Sequence, residues 1–382
     1  MTTAENPLKI TVAGAGIGGL AAAIALARDG HAVRVAERAP TIAEVGAGIQ
    51  VSPNGMSVLR AIGLEDRFNA ISTQSEAVQL LDGPSGRQVA TLDLAEHAGD
   101  LRWQLVHRAE FIQLLESAAK DAGVTIETGA EIAPPPAGEA LEGDDLLVGA
   151  DGLKSRHRAS VDEASKPFFT GQVAWRAVIP EANIRPVVEV HMGPGRHLVT
   201  YPLPGDRRNI VAIEERDGWA EEGWSHEDHP ANLRGAFTSF TPRVQGWLEQ
   251  VEAVHLWGLF RHVVADRWWF NQQVLLGDAA HPTLPFLAQG ANLALEDAYV
   301  LARSLGSGAL DQGLAAYQMA RQPRAAAVVD AASRNARNYH LSFPPARFLA
   351  HSALRIVGAI SPGYMIRRFD WLYRYDVTAD GD

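Results

Sequence analysis

Apolar and polar positions divide the chain into two kinds of segment. In the first kind a short apolar run leads into a glycine turn or an Ala- and Leu-rich stretch. Ile10–Val12 is such a run. Gly14, Gly16 and Gly19 follow it at the spacing G-x-G-x-x-G. Ile17–Arg28 has no proline and predicts a buried helix, and Gly30 stands where a helix C-terminal glycine belongs. Val33 and Val35 alternate into a second strand that ends at Glu37. Ser52 suits an N-cap and Pro53 a first helical residue, so a helix is expected to Ile62, stopped by Gly63. Ala109–Ala122, Gly290–Leu305 and Asp311–Tyr339 read as further helices, the last interrupted at Pro323. Val124–Glu131, Leu146–Gly152 and Val274–Leu276 read as strands. Strands alternating with helices predict βαβ units and a parallel sheet.

The second kind of segment is regular and turn-rich. Val173–Ile179, Val187–His191, Arg196–Tyr201 and Asn209–Glu214 are short runs separated by Pro180, Gly193-Pro194-Gly195 and Pro204-Gly205-Asp206. Such spacing predicts an antiparallel sheet. Ser72–Leu94 reads alike, with Gly83-Pro84-Ser85-Gly86 as a hairpin tip. Period two puts His197, Val199 and Tyr201 on one face of their strand. That face is either a solvated side of the sheet or a ligand wall. Phe348–Asp370 reads as helical, with Arg355, Arg367 and Arg368. It either packs on the body or offers a surface to a membrane or partner.

The expected fold class is therefore α/β: a Rossmann-like dinucleotide domain with a βαβ start, an inserted, mostly antiparallel substrate sheet, and C-terminal helices. The expected boundaries are 1–71, 98–168 and 268–335 for the dinucleotide domain, 72–97 and 169–267 for the sheet domain, and 336–382 for the C-terminal segment.

A chain of 382 residues with 47% hydrophobic content suits two domains or one large one. No run of 18 uncharged apolar residues indicates a transmembrane helix, and the N-terminus lacks a basic region followed by an apolar core. A cytoplasmic protein is expected. The absence of cysteine excludes disulfides, thiolate metal sites and a cysteine nucleophile, and no metal site is expected. A net charge of −11 without a long basic block argues against a nucleic-acid partner.

The glycine turn carries the first chemistry. One glycine makes the turn, one lets the backbone approach a pyrophosphate, and one packs the helix onto the sheet. The helix start favours that anion. Glu37 lies 23 residues after Gly14, near the roughly 20 expected for an acid that holds a ribose. Arg108 opens a helix, where the dipole disfavours a cation. It is either solvated or balanced by a phosphate. Gly46 and Gly48 precede a strand, Ile49–Val51, and serve either a turn or a close approach. Asp151-Gly152 and Asp278 stand at the carboxyl ends of strands, where open α/β sheets bind ligands.

Gly19, Leu20, Ala23, Leu26, Gly30, Val33, Val35 and Glu37 follow the extended pattern of FAD-binding proteins. Three motifs in order, GAGIGG (Gly14–Gly19), GADG (Gly149–Gly152) and GDAAHPTLPFLAQGANLALEDA (Gly277–Ala298), give a wider likeness. The chain resembles the single-component FAD-dependent aromatic hydroxylases over most of residues 8–330. Within them it is most similar to the salicylate hydroxylase, 3-hydroxybenzoate 6-hydroxylase and 6-hydroxynicotinate 3-monooxygenase branch. EVGAGIQVSPN (Glu44–Asn54) and HRAEF (His107–Phe111) match that branch too.

The resemblance implies a monooxygenase that binds FAD, takes NADH or NADPH as co-substrate, and hydroxylates a small phenolic or heteroaromatic acid with O₂ through a flavin hydroperoxide. It implies a monomer or homodimer. Gly14, Gly16, Ile17, Gly18 and Gly19 would hold the diphosphate, and Glu37 with Arg38 the ribose side. Arg108 and Asp278 would reach the ribityl or diphosphate region, and Ile132 would be a further cofactor-binding residue. Asp151-Gly152 would shape the cleft, and Ala47-Gly48 with Gly290, Ala291 and Asn292 would line the flavin ring. His197 and Tyr201 match an H-x-x-x-Y pair that faces substrate. His197 would be the base, its reference pKa of ~6.5 lying near working pH.

The chain departs from the pattern at a short, proline-rich hairpin between Ile132 and Asp145, and at Pro285, where 3-hydroxybenzoate-type enzymes tend to be polar. WRAVIP (Trp175–Pro180) lacks the second tryptophan of the flavin halogenase motif. A flavin epoxidase of an isoprenoid-like substrate and an NAD-dependent dehydrogenase are the alternatives.

Overall fold

In the computed structural model, strand Lys9–Ala13, helix Ile17–Arg28 and strand Ala32–Glu37 form the opening βαβ unit. The structure describes residues 6–42, 47–135, 139, 141–162, 166–219, 226–306 and 308–379. Gly46 and the Pro136–Gly138 end of the proline turn lie outside them. The two strands pair in parallel, Val12 opposite Val35. They sit inside a six-stranded sheet ordered Trp269–Phe270, Gln273–Leu275, Leu146–Gly149, Lys9–Ala13, Ala32–Glu37, Thr125–Thr128. All its pairs are parallel except the edge pair Trp269–Phe270 with Gln273–Leu275. Helix Ile17–Arg28 is buried along most of its length, as its Ala- and Leu-rich sequence requires. It packs against Arg108–Asp121 and Gly290–Leu305. Leu20, Ile24, Phe111, Leu115, Val148 and Leu295 share the resulting core.

The second sheet has eight strands, in the order His226–Asp228, Val254–Arg261, Phe168–Pro180, Arg207–Glu215, Arg196–Leu203, Val187–Gly193, Ala77–Asp82, Gln88–Asp93. It is antiparallel except where Val187–Gly193 pairs in parallel with Ala77–Asp82. Both faces are covered. Trp175, Ile179, Leu198 and Ile210 pack on helices Pro230–Ala236 and Pro242–Glu249 through Leu233, Phe237 and Trp247. The opposite face carries His197, Val199 and Tyr201 and looks into the molecule. A three-stranded sheet, Gly48–Val51, Gln104–His107 and Ser72–Gln74, meets this face, its Leu105 packing with Tyr201 and Leu203.

Helix Leu310–Tyr339 runs through Pro323 without interruption, contrary to the sequence expectation. Proline removes one backbone donor. Leu314 and Tyr317 before it, and Val328 and Ala332 after it, are buried against the body and hold both halves in line. Helix Pro344–Ile360 lies over strand Gln88–Asp93. Its Leu354 packs with Val190 and Met192, while Phe348, Leu349, Ile356 and Ile360 are exposed. Among the described residues no helix is long and apolar enough to cross a membrane.

Candidate active site

The carboxyl ends of Lys9–Ala13, Leu146–Gly149 and Gln273–Leu275 face the second sheet across a cavity of ≈ 1110 Å³. Ligand sites usually measure about 300–1,000 Å³, so this one has room for a large cofactor and a substrate together.

One end is a glycine cradle. A Cβ on Gly14 would lie 2.5 Å from the Ala150 carbonyl oxygen, and one on Gly19 would strike the Gly14 carbonyl. Those two glycines are packing positions. Gly16 is different: nothing lies within 4 Å of its would-be Cβ, and the residue lines the cavity. Helix Ile17–Arg28 has no side-chain cap and no acid in its first turn. Its free N–H groups suit an anion at that opening. Ile17, Gly18 and Arg38 line the same end.

Arg108, the first residue of helix Arg108–Asp121, lines the cavity, and its amide donates to the Ala47 carbonyl. Asp278 opens onto the cavity; burial on its other sides raises its pKa, opposed by His281 and Arg108. Asp151 accepts the Arg156 amide on one oxygen, and its other oxygen is buried without a hydrogen-bond partner. Gly152, at φ +78°, lies beside it with open space around its would-be Cβ. Gly290 and Ala291 line the cavity at the start of helix Gly290–Leu305, which also lacks a side-chain cap. An open glycine, two uncapped helix starts and an unsatisfied carboxylate fit FAD, whose diphosphate, ribityl hydroxyls and flavin edge supply the matching groups.

Six expected cofactor residues are not part of the lining. Gly14 and Gly19 pack the turn itself. Glu37 accepts the amides of Ala15 (2.8 Å) and Ala39 (2.9 Å), which ties it to the glycine turn. Ala47 is buried, and its carbonyl accepts the Arg108 amide. Ile132 is half-buried. The Asn292 side chain accepts the Ser52 amide at 3.0 Å and donates to the Gln50 carbonyl at 3.2 Å. It braces the strand beside the cavity rather than entering it.

The sheet forms the other wall. His197, Val199 and Tyr201 all line the cavity, and His197 and Tyr201 are only 1% and 3% exposed. The face is therefore not a solvated one. Tyr201 lies against Gly48, where a Cβ would sit 2.7 Å from its ring, and the Gly48 amide donates to Asn209 Oδ1 at 2.6 Å. Burial pushes the Tyr201 hydroxyl well above its ordinary pKa, against the pull of Arg176. It stays protonated.

His197 departs from expectation. Burial, then His340, holds its pKa well below the ordinary histidine value. Its Nδ1 lies 2.6 Å from His340 Nε2, and His340 Nδ1 lies 2.8 Å from Glu215 Oε1. Phe286 and Tyr339 pack on the His197 ring.

The sequence reading missed Arg176, which lines the cavity with its guanidinium over Trp257. Alternation along Phe168–Pro180 could have found it, since Trp175 faces the helices. It also missed His340, which no local spacing links to His197. From Tyr201's wall the apolar floor continues through paired Val211, Val199, Val190 and Leu80. Three strand steps of ~4.8 Å make it about 14 Å long. Ala350, Leu354 and Val357 of helix Pro344–Ile360 roof it.

Comparison with known proteins agrees with this geometry. The model of the FAD binding domain family matches residues 8–332. The chain is 34% identical to a 3-amino-4-hydroxybenzoate 2-monooxygenase of Streptomyces cremeus, over 89% of this chain and 90% of that one. It is 33% identical to a 6-hydroxynicotinate 3-monooxygenase of Bordetella bronchiseptica, over 83% and 88%. A salicylate hydroxylase solved as a substrate complex superposes with a TM-score of 0.81 at 22% identity, over 98% and 97% of the two chains, and shows the shared fold. The chain belongs to the FAD binding domain family, among its FAD-dependent aromatic-ring monooxygenases.

Proposed function

We propose that the protein uses NADH or NADPH and O₂ to hydroxylate a small phenolic or heteroaromatic acid. The observation that carries this reading is the placement of His197, Tyr201 and Arg176 across one cavity from the glycine cradle and the Gly290 helix start. In this reading residues 1–71, 98–168 and 268–335 hold the cofactor, 72–97 and 169–267 hold the substrate, and the protein works in the cytoplasm.

FAD, when bound, supplies the oxygen-transfer chemistry. The protein's residues do the rest. Gly16, Arg108 and Asp278 would hold the diphosphate and ribityl groups. The open helix start at Gly290 and Ala291 would meet the flavin ring, where its positive end favours negative charge. Arg176 supplies a cation for the substrate carboxylate. His197, kept neutral by burial, can accept the phenolic proton, and the resulting phenolate is more electron-rich at its ortho and para carbons. Tyr201 donates a hydrogen bond. The apolar floor excludes water and leaves room for ring substituents.

The His–Tyr pair and Arg176 count against a wholly apolar, isoprenoid-like substrate. The family match replaces the dehydrogenase alternative. The test is NAD(P)H oxidation by the FAD-loaded protein over a panel of hydroxybenzoates and hydroxypyridine carboxylates. At least one should accelerate oxidation and yield a hydroxylated product. No acceleration by any of them overturns the reading.

A further inference from the structure

We propose that His197, His340 and Glu215 form a proton relay from the cavity to solvent. The relay rests on the reading above, in which the substrate hydroxyl meets His197. His197 lines the cavity, yet its Nδ1 is taken by His340. His340 is 4% exposed and spans to Glu215, whose side chain is 49% exposed. Two short contacts thus join a buried ring to the surface.

Neutral rings satisfy this chain in one direction. His340 Nδ1–H donates to the Glu215 carboxylate, so His340 Nε2 accepts from His197 Nδ1–H. That leaves His197 Nε2 as the acceptor. When the substrate O–H breaks, its proton bonds to His197 Nε2. The Nδ1 proton passes to His340 Nε2, the His340 Nδ1 proton passes to Glu215, and Glu215 releases it to water. No electrons are transferred, and the path runs backward when the product oxygen is reprotonated. Burial keeps both histidines below their ordinary pKa, so neither ring stores the proton. The groups around the chain are Arg196, which lowers the His340 pKa, Gln172 at 3.4 Å from His340 Nδ1, and Tyr339 against His197. Arg196 is itself paired with Glu214.

His340 and Glu215 act through His197 and are positioning residues. The test is stopped-flow binding of ortho-nitro hydroxybenzoates, whose phenolates absorb in the visible, to the FAD-loaded protein and to Glu215→Gln and His340→Gln. Phenolate formation should slow about 10-fold or more in both variants, short of the roughly 10²–10⁴ of a lost general base. Binding the same probes as preformed phenolates at high pH should be unchanged, which a merely structural defect would not allow. Glu215→Asp should restore the rate. Wild-type rates of phenolate formation in both variants overturn the relay while leaving the hydroxylase reading standing. Failure of every probe to bind overturns that reading and the relay with it.

Discussion

Gly48 shows how one residue constrains the site. Its missing side chain leaves the space that the Tyr201 ring and Asn209 occupy. Gly48→Val should displace the Tyr201 ring and weaken aromatic-ligand binding at least several-fold, read by titration; unchanged affinity would refute the contact. His262 gives a second residue-scale prediction. Burial and then Arg158 push its pKa down to about 4, against ~6.5 in an unfolded chain. Below pH ~6.5 the unfolded state therefore binds the extra proton, and stability falls as pH drops from about 6.5 toward 4. His262→Gln should show a shallower fall in Tm over that window. The spacing of His197 and Tyr201 was readable because both lie on one strand. Their pKa shifts were not, because they come first from burial under elements far away in the chain, with His340 adding to the His197 shift.

At the scale of elements, a buried ionic cluster joins helices Gly290–Leu305 and Leu310–Tyr339. Arg321 contacts Glu296 at 2.7 Å and Asp297 at 2.8 Å, and all three are fully buried. Arg324 also reaches Glu296, at 3.1 Å. Arg321→Met removes the buried cation that both carboxylates share, leaving Glu296 to Arg324 and Asp297 to His281, and should cost about 3–5 kcal/mol, read by denaturant unfolding. A cost below about 1 kcal/mol would contradict that reading of the cluster. The same elements show what local pattern conveys. Helix Ile17–Arg28 was legible from composition and glycine punctuation. The continuity of Leu310–Tyr339 was not, because tertiary packing on both sides of Pro323 outweighs its local effect. Helices Pro230–Ala236 and Pro242–Glu249 were missed, although each begins with proline at its first position.

At the scale of the whole molecule, two sheets face one another across a shared cavity, one presenting a glycine cradle and the other a His–Tyr wall. The order of the three glycine-bearing motifs made the first sheet and its cofactor legible. The roof from helix Pro344–Ile360 depended on long-range packing that spacing does not encode, whereas alternation along Phe168–Pro180 carried the cation at Arg176. The most direct measurement is hydroxylated product formed per NAD(P)H consumed, for the FAD-loaded wild type and His197→Ala, with flavin reduction timed separately. The expected result is tight coupling in the wild type. In His197→Ala the hydroxylation rate should fall by roughly 10²-fold or more, coupling should be lost, and reduction without substrate should be unchanged. Wild-type turnover and coupling in His197→Ala would contradict the assignment of this wall to the substrate.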